Sequence, residues 1–177
     1  PPGEFAARGS RVLAALGFDA LVVGAGPPVT YARDGEHRSR VDSDFFWLTG
    51  LAEPGAVLVL RGGAEQPFTL FVRPREPERE AWTGPRVGPE GAVAGYGADR
   101  AFPLGELPLQ LPELLDGAER LHFAPWKSAA LDQAVQRALG ELALKESQGR
   151  RAPGAIVLPS ELLHALRLVQ SAGALAA

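Results

Sequence analysis

The sequence predicts a single α/β domain in which a mixed β-sheet is flanked by helices. Helical segments alternate with short apolar runs along the 177 residues, a pattern typical of layered α/β folds. Two of the apolar runs, residues 56–60 and 68–72, are joined by a turn that begins Arg61-Gly62-Gly63, which predicts a β-hairpin. Because a hairpin pairs its strands antiparallel, a purely parallel sheet is excluded and a mixed one is expected. No internal repeat or inert linker divides the chain.

The first predicted elements are a helix over residues 4–16 and a buried strand over residues 20–23. The helix has its apolar residues on or near one face and ends at Gly17, in the usual manner of a helix C-terminus. Glycine and proline follow the strand and end it. The aromatic run over residues 45–48 is interpreted as a further strand, followed by Thr49-Gly50.

In the second half of the chain, alternating charges after Pro74 predict a short solvated helix with local ion pairs. Residues 84–117 are rich in glycine and proline. The other predicted elements are a helix over 106–115 that Pro108 and Pro112 shorten, a strand over 121–124, a helix over 128–144 capped by Ser128, and a last helix over 160–168 capped by Ser160.

Composition excludes several classes of protein. The 18 basic and 21 acidic residues give a net charge of −3, which disfavours a general nucleic-acid binder or a binder of anionic membranes. The chain has no cysteine, so disulfides, thiol nucleophiles and cysteine-bound zinc are excluded. No apolar run approaches the roughly 18 residues of a membrane helix, and the first residues lack a signal-peptide pattern. A cytoplasmic location is therefore expected.

A search for catalytic motifs finds none. The three histidines are widely separated in sequence, with no spacing typical of a metal site, and His122 is interpreted as a structural histidine of a strand. The Gly24-Ala25-Gly26 stretch lacks the third glycine of a dinucleotide-binding loop and is interpreted as a turn. No Gly-x-Ser-x-Gly motif is present. The chain alone is predicted to be catalytically inactive.

Two polar clusters remain, residues 33–44 and residues 78–84. Asp42-Ser43-Asp44 ends the first cluster; its carboxylates are candidates for a catalytic pair, although helix capping and turn formation are commoner uses of this pattern. The second cluster surrounds Trp82, which lies between a charged segment and a Gly-Pro loop. Core packing and an anchor at an interface are both open for this residue.

These clusters carry a resemblance to a known family. Residues 40–60, RVDSDFFWLTGLAEPGAVLVL, and residues 71–91, FVRPREPEREAWTGPRVGPEG, strongly resemble the amino-terminal domain of aminopeptidase P, the Xaa-Pro aminopeptidases. Residues 164–171, HALRLVQS, resemble the linker that leads into the catalytic domain of that family. The three matches follow the order of the family and span residues 40–171 of the chain.

The resemblance implies a division of labour between domains. Residues 1–160 would form the creatinase-type amino-terminal domain, and residues 161–177 would form a linker helix toward a catalytic pita-bread domain. That catalytic domain would hold two divalent metals, usually manganese, and would remove the first residue before proline from a peptide. No metal ligand can be assigned in this chain. The implied partners are the catalytic domain, further copies of the chain in a homo-oligomer, and a proline-containing peptide.

The resemblance also implies three substrate-binding residues. Asp34 matches an acidic residue near the amino end of the substrate, and Trp82 matches a tryptophan that reaches the site of a neighbouring subunit. Both are expected in surface loops. Arg151, or its neighbour Arg150, matches an arginine of the same group. The alternatives are a stand-alone module that binds peptides or proteins without peptidase activity, and a prolidase or creatinase relative.

Overall fold

A computed structural model describes residues 2–27 and 41–174 of the chain. Six strands form its sheet: β1 (Ala20–Gly24), β2 (Val57–Arg61), β3 (Phe68–Val72), β4 (Arg100–Pro103), β5 (Leu121–Phe123) and β6 (Ile156–Val157). The α-helices are α1 (Pro2–Leu16), α2 (Ser43–Thr49), α3 (Pro77–Thr83), α4 (Gly88–Tyr96), α5 (Leu107–Leu115), α6 (Ala129–Leu144) and α7 (Ser160–Ala174).

The strand order in the sheet is β4-β3-β2-β1-β5-β6. Strand β2 is antiparallel to β1 and β3, with Leu21 opposite Leu60 and Leu58 opposite Leu70, and the other neighbours are parallel. All strands except β2 therefore point the same way. We call the edge where these five strands end the carboxyl edge, and the edge where they begin the amino edge. The sheet is mixed and flanked by helices, so the predicted fold class is confirmed.

Apolar side chains cover both faces of the sheet. On one face, Leu21 and Leu58 pack with residues from α1, α2, α4 and α7, among them Leu163, whose exposed fraction is 0%. On the other face, Val22 and Val59 pack with α5 and α6. Burial on both faces explains why β1, β2 and β3 read as continuous apolar runs in the sequence.

The predicted strand over residues 45–48 is wrong, because this segment forms helix α2. The backbone N–H groups of Asp44 and Phe45 donate to Asp42 Oδ1 at 2.9 and 3.2 Å, and this caps the helix. Gly50, with φ of 69°, ends it in a left-handed conformation. A short aromatic run does not distinguish a strand from a buried helix. The Asp42-Ser43-Asp44 pattern was the decisive signal, and its interpretation as a cap is confirmed.

Other elements agree with the sequence patterns or extend them. Helices α1 and α6 and the β2–β3 hairpin are confirmed, and the Ser128 hydroxyl accepts a hydrogen bond from the Leu131 N–H at the start of α6. The predicted shortening of α5 is wrong, since α5 runs to Leu115 with Pro112 inside it.

The last helix and the glycine-rich segment also differ from expectation. Helix α7 includes Ser160 as its first residue, so the cap lies one residue earlier, and the helix extends to Ala174. Helix α4 and strand β4 lie in the segment rich in glycine and proline, where the sequence patterns do not predict them. Over the described ranges, no helix combines the length and the apolar character that crossing a bilayer requires.

Candidate functional site

The most exposed large apolar side chain described is Trp82, at the carboxyl edge of the sheet. It lies in α3, which follows the end of β3, and its exposed fraction is 91%. The surface position of Trp82 agrees with the expectation, whereas the expected loop is wrong because the residue is helical. Core packing of this residue is excluded, and an apolar ring with this exposure is typical of a contact residue.

Trp82 belongs to residues 73–87, which leave the sheet after β3 and return before α4; we call them the Trp82 segment. Both ends of this segment meet Glu53, whose exposed fraction is 6%. Glu53 Oε1 accepts from the Arg73 N–H at 3.2 Å and from Arg73 Nε at 3.4 Å. Glu53 Oε2 accepts from the Val87 N–H at 3.0 Å. One buried carboxylate thus closes the Trp82 segment at its base.

Charged side chains order the interior of the Trp82 segment. Arg75 donates to both oxygens of Glu80 at 3.3 and 3.2 Å, and these hydrogen bonds hold the pKa of Glu80 below its ordinary value. Glu80 also accepts from the Glu76 N–H at 3.1 Å. Arg86 donates to the carbonyl oxygen of Pro74 and to Glu76 Oε1, at 3.3 and 3.2 Å. The predicted short helix with local ion pairs is confirmed here.

A cleft of about 300 Å³ also opens at the carboxyl edge, beside the ends of β1 and β5. On its rim, Lys127 Nζ donates to Asp42 Oδ2 at 2.7 Å. Burial tends to raise the pKa of Asp42, but the hydrogen bond from Lys127 and those from two backbone N–H groups outweigh burial and lower it. Asp44 pairs instead with Arg167 at 2.9 Å. Both carboxylates line this cleft, and each is paired with a cation of a different element.

The second exposed tryptophan of the carboxyl edge is Trp126, which follows β5 and has an exposed fraction of 87%. Its backbone has a φ of 73°, and its N–H donates to Asp132 Oδ2 at 3.0 Å. Trp126 is therefore a suitable control for Trp82, because it is similarly exposed and lies on a different element of the same edge.

The amino edge is built around a buried carboxylate of its own. Asp19 accepts from the Arg120 N–H and from Arg120 Nε, both at 3.1 Å, and its Oδ2 lies 2.8 Å from His122 Nε2. Both Asp19 and His122 are buried. His122 is thus a structural histidine of a strand, as the sequence indicates.

The arginines at positions 150 and 151 lie near the amino edge. The Arg150 guanidinium donates hydrogen bonds to the carboxylates of Glu113 and Asp116 at 2.6 to 2.8 Å, and these hydrogen bonds raise the pKa of Arg150 above its ordinary value. The Arg151 N–H donates to Asp116 Oδ1 at 2.8 Å, and its side chain is exposed. Since Trp82 follows the end of β3, it and Arg151 lie at opposite edges and do not come together within one copy. Asp34 lies outside the described residues.

The donor groups of the described residues do not form a metal centre. Within residues 2–27 and 41–174, no three His, Asp or Glu side chains converge as a metal site requires. The sequence patterns did not single out Glu53. The sole signal it gives there is an acidic residue between apolar neighbours, in Leu51-Ala52-Glu53-Pro54.

Three comparisons with known proteins agree. The family model described as "Aminopeptidase P, N-terminal domain" matches residues 5–122. The Xaa-Pro aminopeptidase of Escherichia coli K12 is 35% identical over 154 residues, which is 86% of this chain and 35% of that protein. Rat Xaa-Pro aminopeptidase 3 is 37% identical over 125 residues, covering 63% of this chain and 25% of that protein.

The solved structures give the same result for the fold. The structure of Pseudomonas aeruginosa aminopeptidase PepP superposes with a TM-score of 0.86 and 37% identity, over 93% of this chain and 38% of that one. A zinc-substituted E. coli aminopeptidase P in complex with product gives a TM-score of 0.85 and 32% identity, over the same shares. The chain thus spans little more than a third of the length of these proteins.

Proposed function

This chain belongs to the aminopeptidase P N-terminal domain family, and we propose that it is the non-catalytic domain of a metal-dependent Xaa-Pro aminopeptidase. The parent enzyme would remove the first residue of a peptide whose second residue is proline. The names of the relatives support this substrate class. The metals, two divalent ions and most commonly manganese in the family, would bind in a catalytic domain to which the linker of residues 161–177 would lead.

The observation that carries the proposal is the exposure of Trp82. An indole ring with 91% of its surface in water gains nothing from the core of its own domain. At the carboxyl edge it is free to contact a second subunit, where it would supply apolar wall area to the substrate pocket. The domain therefore contributes both to a homo-oligomer and to the active site of a neighbouring copy.

The other two substrate-binding residues are part of the same proposal. Asp34 would face the ammonium group of the substrate, because a carboxylate stabilises a nearby cation. Arg151 lies at the amino edge, with its backbone fixed by Asp116 and its side chain exposed. In an oligomer, Arg151 and Trp82 of one copy would thus serve different neighbours. The proposed location is the cytoplasm, which the absence of cysteine supports.

A chimeric enzyme tests the proposal. This chain replaces the corresponding region of the E. coli Xaa-Pro aminopeptidase, and release of the first residue from an Xaa-Pro peptide is measured with added manganese. We expect the chimera to be active and this chain alone to be inactive. Trp82→Ala should lower kcat/KM of the chimera by about 10-fold, because apolar contact area is lost, and the matched Trp126→Ala variant should not. Equal effects of both variants would contradict the role of Trp82.

Sedimentation of this chain alone tests the oligomer contribution. We expect weak self-association, because the domain supplies only part of the assembly surface and small interfaces are transient. A tight dimer that persists at nanomolar concentration would show that the domain holds a complete interface. Specific binding of proline-containing peptides by the isolated chain, with an inactive chimera, would favour the stand-alone binding module.

A further inference from the structure

The contacts inside the Trp82 segment order its helix but do not fix where the segment lies on the sheet. Helix α3 has seven residues, and the side chain of its N-cap residue Glu76 accepts no capping hydrogen bond. Isolated helices of this length are unstable in water. The side chain of Trp82 is 91% exposed, so packing of the ring against its own domain does not hold it in place. The position of the ring is therefore decided by how the segment is attached to the sheet.

Glu53 provides an attachment at both ends of the segment. Its two oxygens are divided between them, Oε1 with the Arg73 N–H and Oε2 with the Val87 N–H. Burying a carboxylate is costly unless its oxygens are matched by donors. Here each oxygen is matched by a backbone donor of the segment, so the arrangement is stable only while both ends lie at the carboxylate.

The ion pairs of the segment act in a different way. Arg75–Glu80 and Arg86–Glu76 join residues within the segment. These pairs stiffen the segment as a unit, whereas Glu53 fixes where that unit stands on the sheet. Glu53 itself comes from the chain between α2 and β2, which packs into the core through Leu51 and Ala56.

We propose that Glu53 is a positioning residue that presents Trp82 to its partner surface by fastening both ends of residues 73–87. This inference rests on the proposed function of Trp82. It adds a residue about 30 positions earlier in the chain that acts on the neighbour's pocket only through the Trp82 segment. Glu53→Gln is the informative substitution, because the amide keeps the size of the side chain and retains one acceptor oxygen instead of two.

A spectroscopic experiment on this chain tests the positioning directly. Trp47→Phe and Trp126→Phe leave Trp82 as the sole tryptophan, and its fluorescence anisotropy decay is measured with and without Glu53→Gln. We expect a larger amplitude of nanosecond rotation in the Glu53→Gln variant. The amides of Arg73 and Val87 should exchange with deuterium about 10-fold faster, as expected when a local unit opens more often.

Asp19→Asn is the matched control, since Asp19 is also a buried carboxylate that accepts from a backbone N–H and an arginine Nε. It should lower the midpoint of urea unfolding and leave the anisotropy of Trp82 unchanged. If Glu53→Gln fails to fold, Val87→Pro replaces it, because Val87 has a φ of −68° that suits proline and the substitution removes the donor to Glu53 Oε2. Val87→Ala is its control, since it keeps that N–H and loses the packing of the valine side chain against the core. Unchanged Trp82 anisotropy in the variant that folds would overturn the proposal.

The chimeric enzyme separates this inference from the proposed function. Glu53→Gln should lower kcat/KM by about as much as Trp82→Ala, and the double variant should lose no more than Trp82→Ala alone, because both act through one residue. If Trp82→Ala has no effect on activity, the proposed function fails while the anisotropy still tests positioning. If Trp82→Ala lowers activity and Glu53→Gln does not, or if the two losses multiply, positioning by Glu53 is overturned.

Discussion

Each edge of the sheet is held by one buried carboxylate, and the two carboxylates have similar donors. Asp19 at the amino edge and Glu53 at the carboxyl edge have exposed fractions of 3% and 6%. Each accepts a backbone N–H and the Nε of the same arginine, Arg120 for Asp19 and Arg73 for Glu53. They differ in the part of the chain to which the donors belong: the residue that leads into strand β5 for Asp19, and the Trp82 segment for Glu53.

Asp19 joins two strands that are already neighbours. Ala20 lies opposite Leu121 in the parallel β1–β5 pair, and the Ala20 N–H donates to the carbonyl oxygen of Arg120 at 2.9 Å. Glu53 joins the core to a segment that leaves the sheet and carries an exposed tryptophan. The comparison teaches that one chemical arrangement serves stability at the amino edge and the placement of a contact residue at the carboxyl edge.

The largest effect is expected from Asp19→Ala. The substitution leaves the buried His122 ring and the Arg120 N–H without their acceptor, and unmatched buried groups cost about 1–3 kcal/mol each. We expect the free energy of unfolding to fall by about 3 kcal/mol, measured by urea denaturation. Glu53→Ala should cost less, since water can reach the freed ends of the Trp82 segment. A larger loss for Glu53→Ala would reverse the assignment of stability to the amino edge.

The next effect concerns the close backbone contact of the amino edge. A Cβ at Gly62 would lie 2.3 Å from the carbonyl oxygen of Gly17, so Gly62→Ala forces two backbone segments apart. We expect a loss of about 2 kcal/mol, within the range for overpacked sites. Gly95→Ala is the control, because it lies in α4 with no atom within 4 Å of the new Cβ, and alanine should stabilise the helix by about 0.5–1 kcal/mol. Equal thermal stability of the two variants would show that the amino edge tolerates displacement.

These two edges also show what a sequence can reveal. Helix α6 and the hairpin were predictable because apolar spacing and turn residues are local signals. The strand prediction for residues 45–48 is wrong because a short apolar run does not distinguish a strand from a helix. The helix cap at Asp42 is the local signal that indicates a helix there. The partners of Glu53 lie 20 and 34 residues away, and the partners of Asp19 lie 101 and 103 residues away. Such contacts depend on the strand order, which local patterns do not contain.

A smaller effect is expected at the cap of α2, near the carboxyl edge. Asp42→Ala removes the acceptor of the Asp44 and Phe45 N–H groups, and loss of such a cap costs about 1 kcal/mol. Asp42→Asn keeps an acceptor and loses the charge that faces Lys127. Comparing the two by urea denaturation separates the backbone cap from the ion pair. Equal losses would assign the whole effect to the charge.

The pH dependence of Asp42 follows from its lowered pKa. The folded pKa lies below the ordinary 3.8, so the unfolded chain binds the proton more readily. The stabilisation is present above the unfolded pKa and is lost as the pH falls through the folded pKa. The stability difference between the original chain and Asp42→Asn should therefore be constant near neutral pH and shrink below about pH 4. A difference that grows on acidification would contradict the lowered pKa.

The smallest effect on stability is expected from Trp82→Ala. A core tryptophan costs about 3–5 kcal/mol on truncation, but substitutions of exposed side chains stay within about 0.5 kcal/mol, and 91% of Trp82 is exposed. Trp47→Ala is the matched control, because Trp47 is half-buried and faces the guanidinium groups of Arg8 and Arg167 at 5.5 and 5.2 Å. Thermal unfolding should show a clear loss for Trp47→Ala and almost none for Trp82→Ala. In the chimeric enzyme, Trp82→Ala should lower kcat/KM although its melting temperature is unchanged. Trp47→Ala should lower the melting temperature more and kcat/KM less. A loss of 3 kcal/mol or more for Trp82→Ala would mean that the ring packs against its own domain. The carboxyl edge would then serve stability, as the amino edge does, and not the placement of a contact residue.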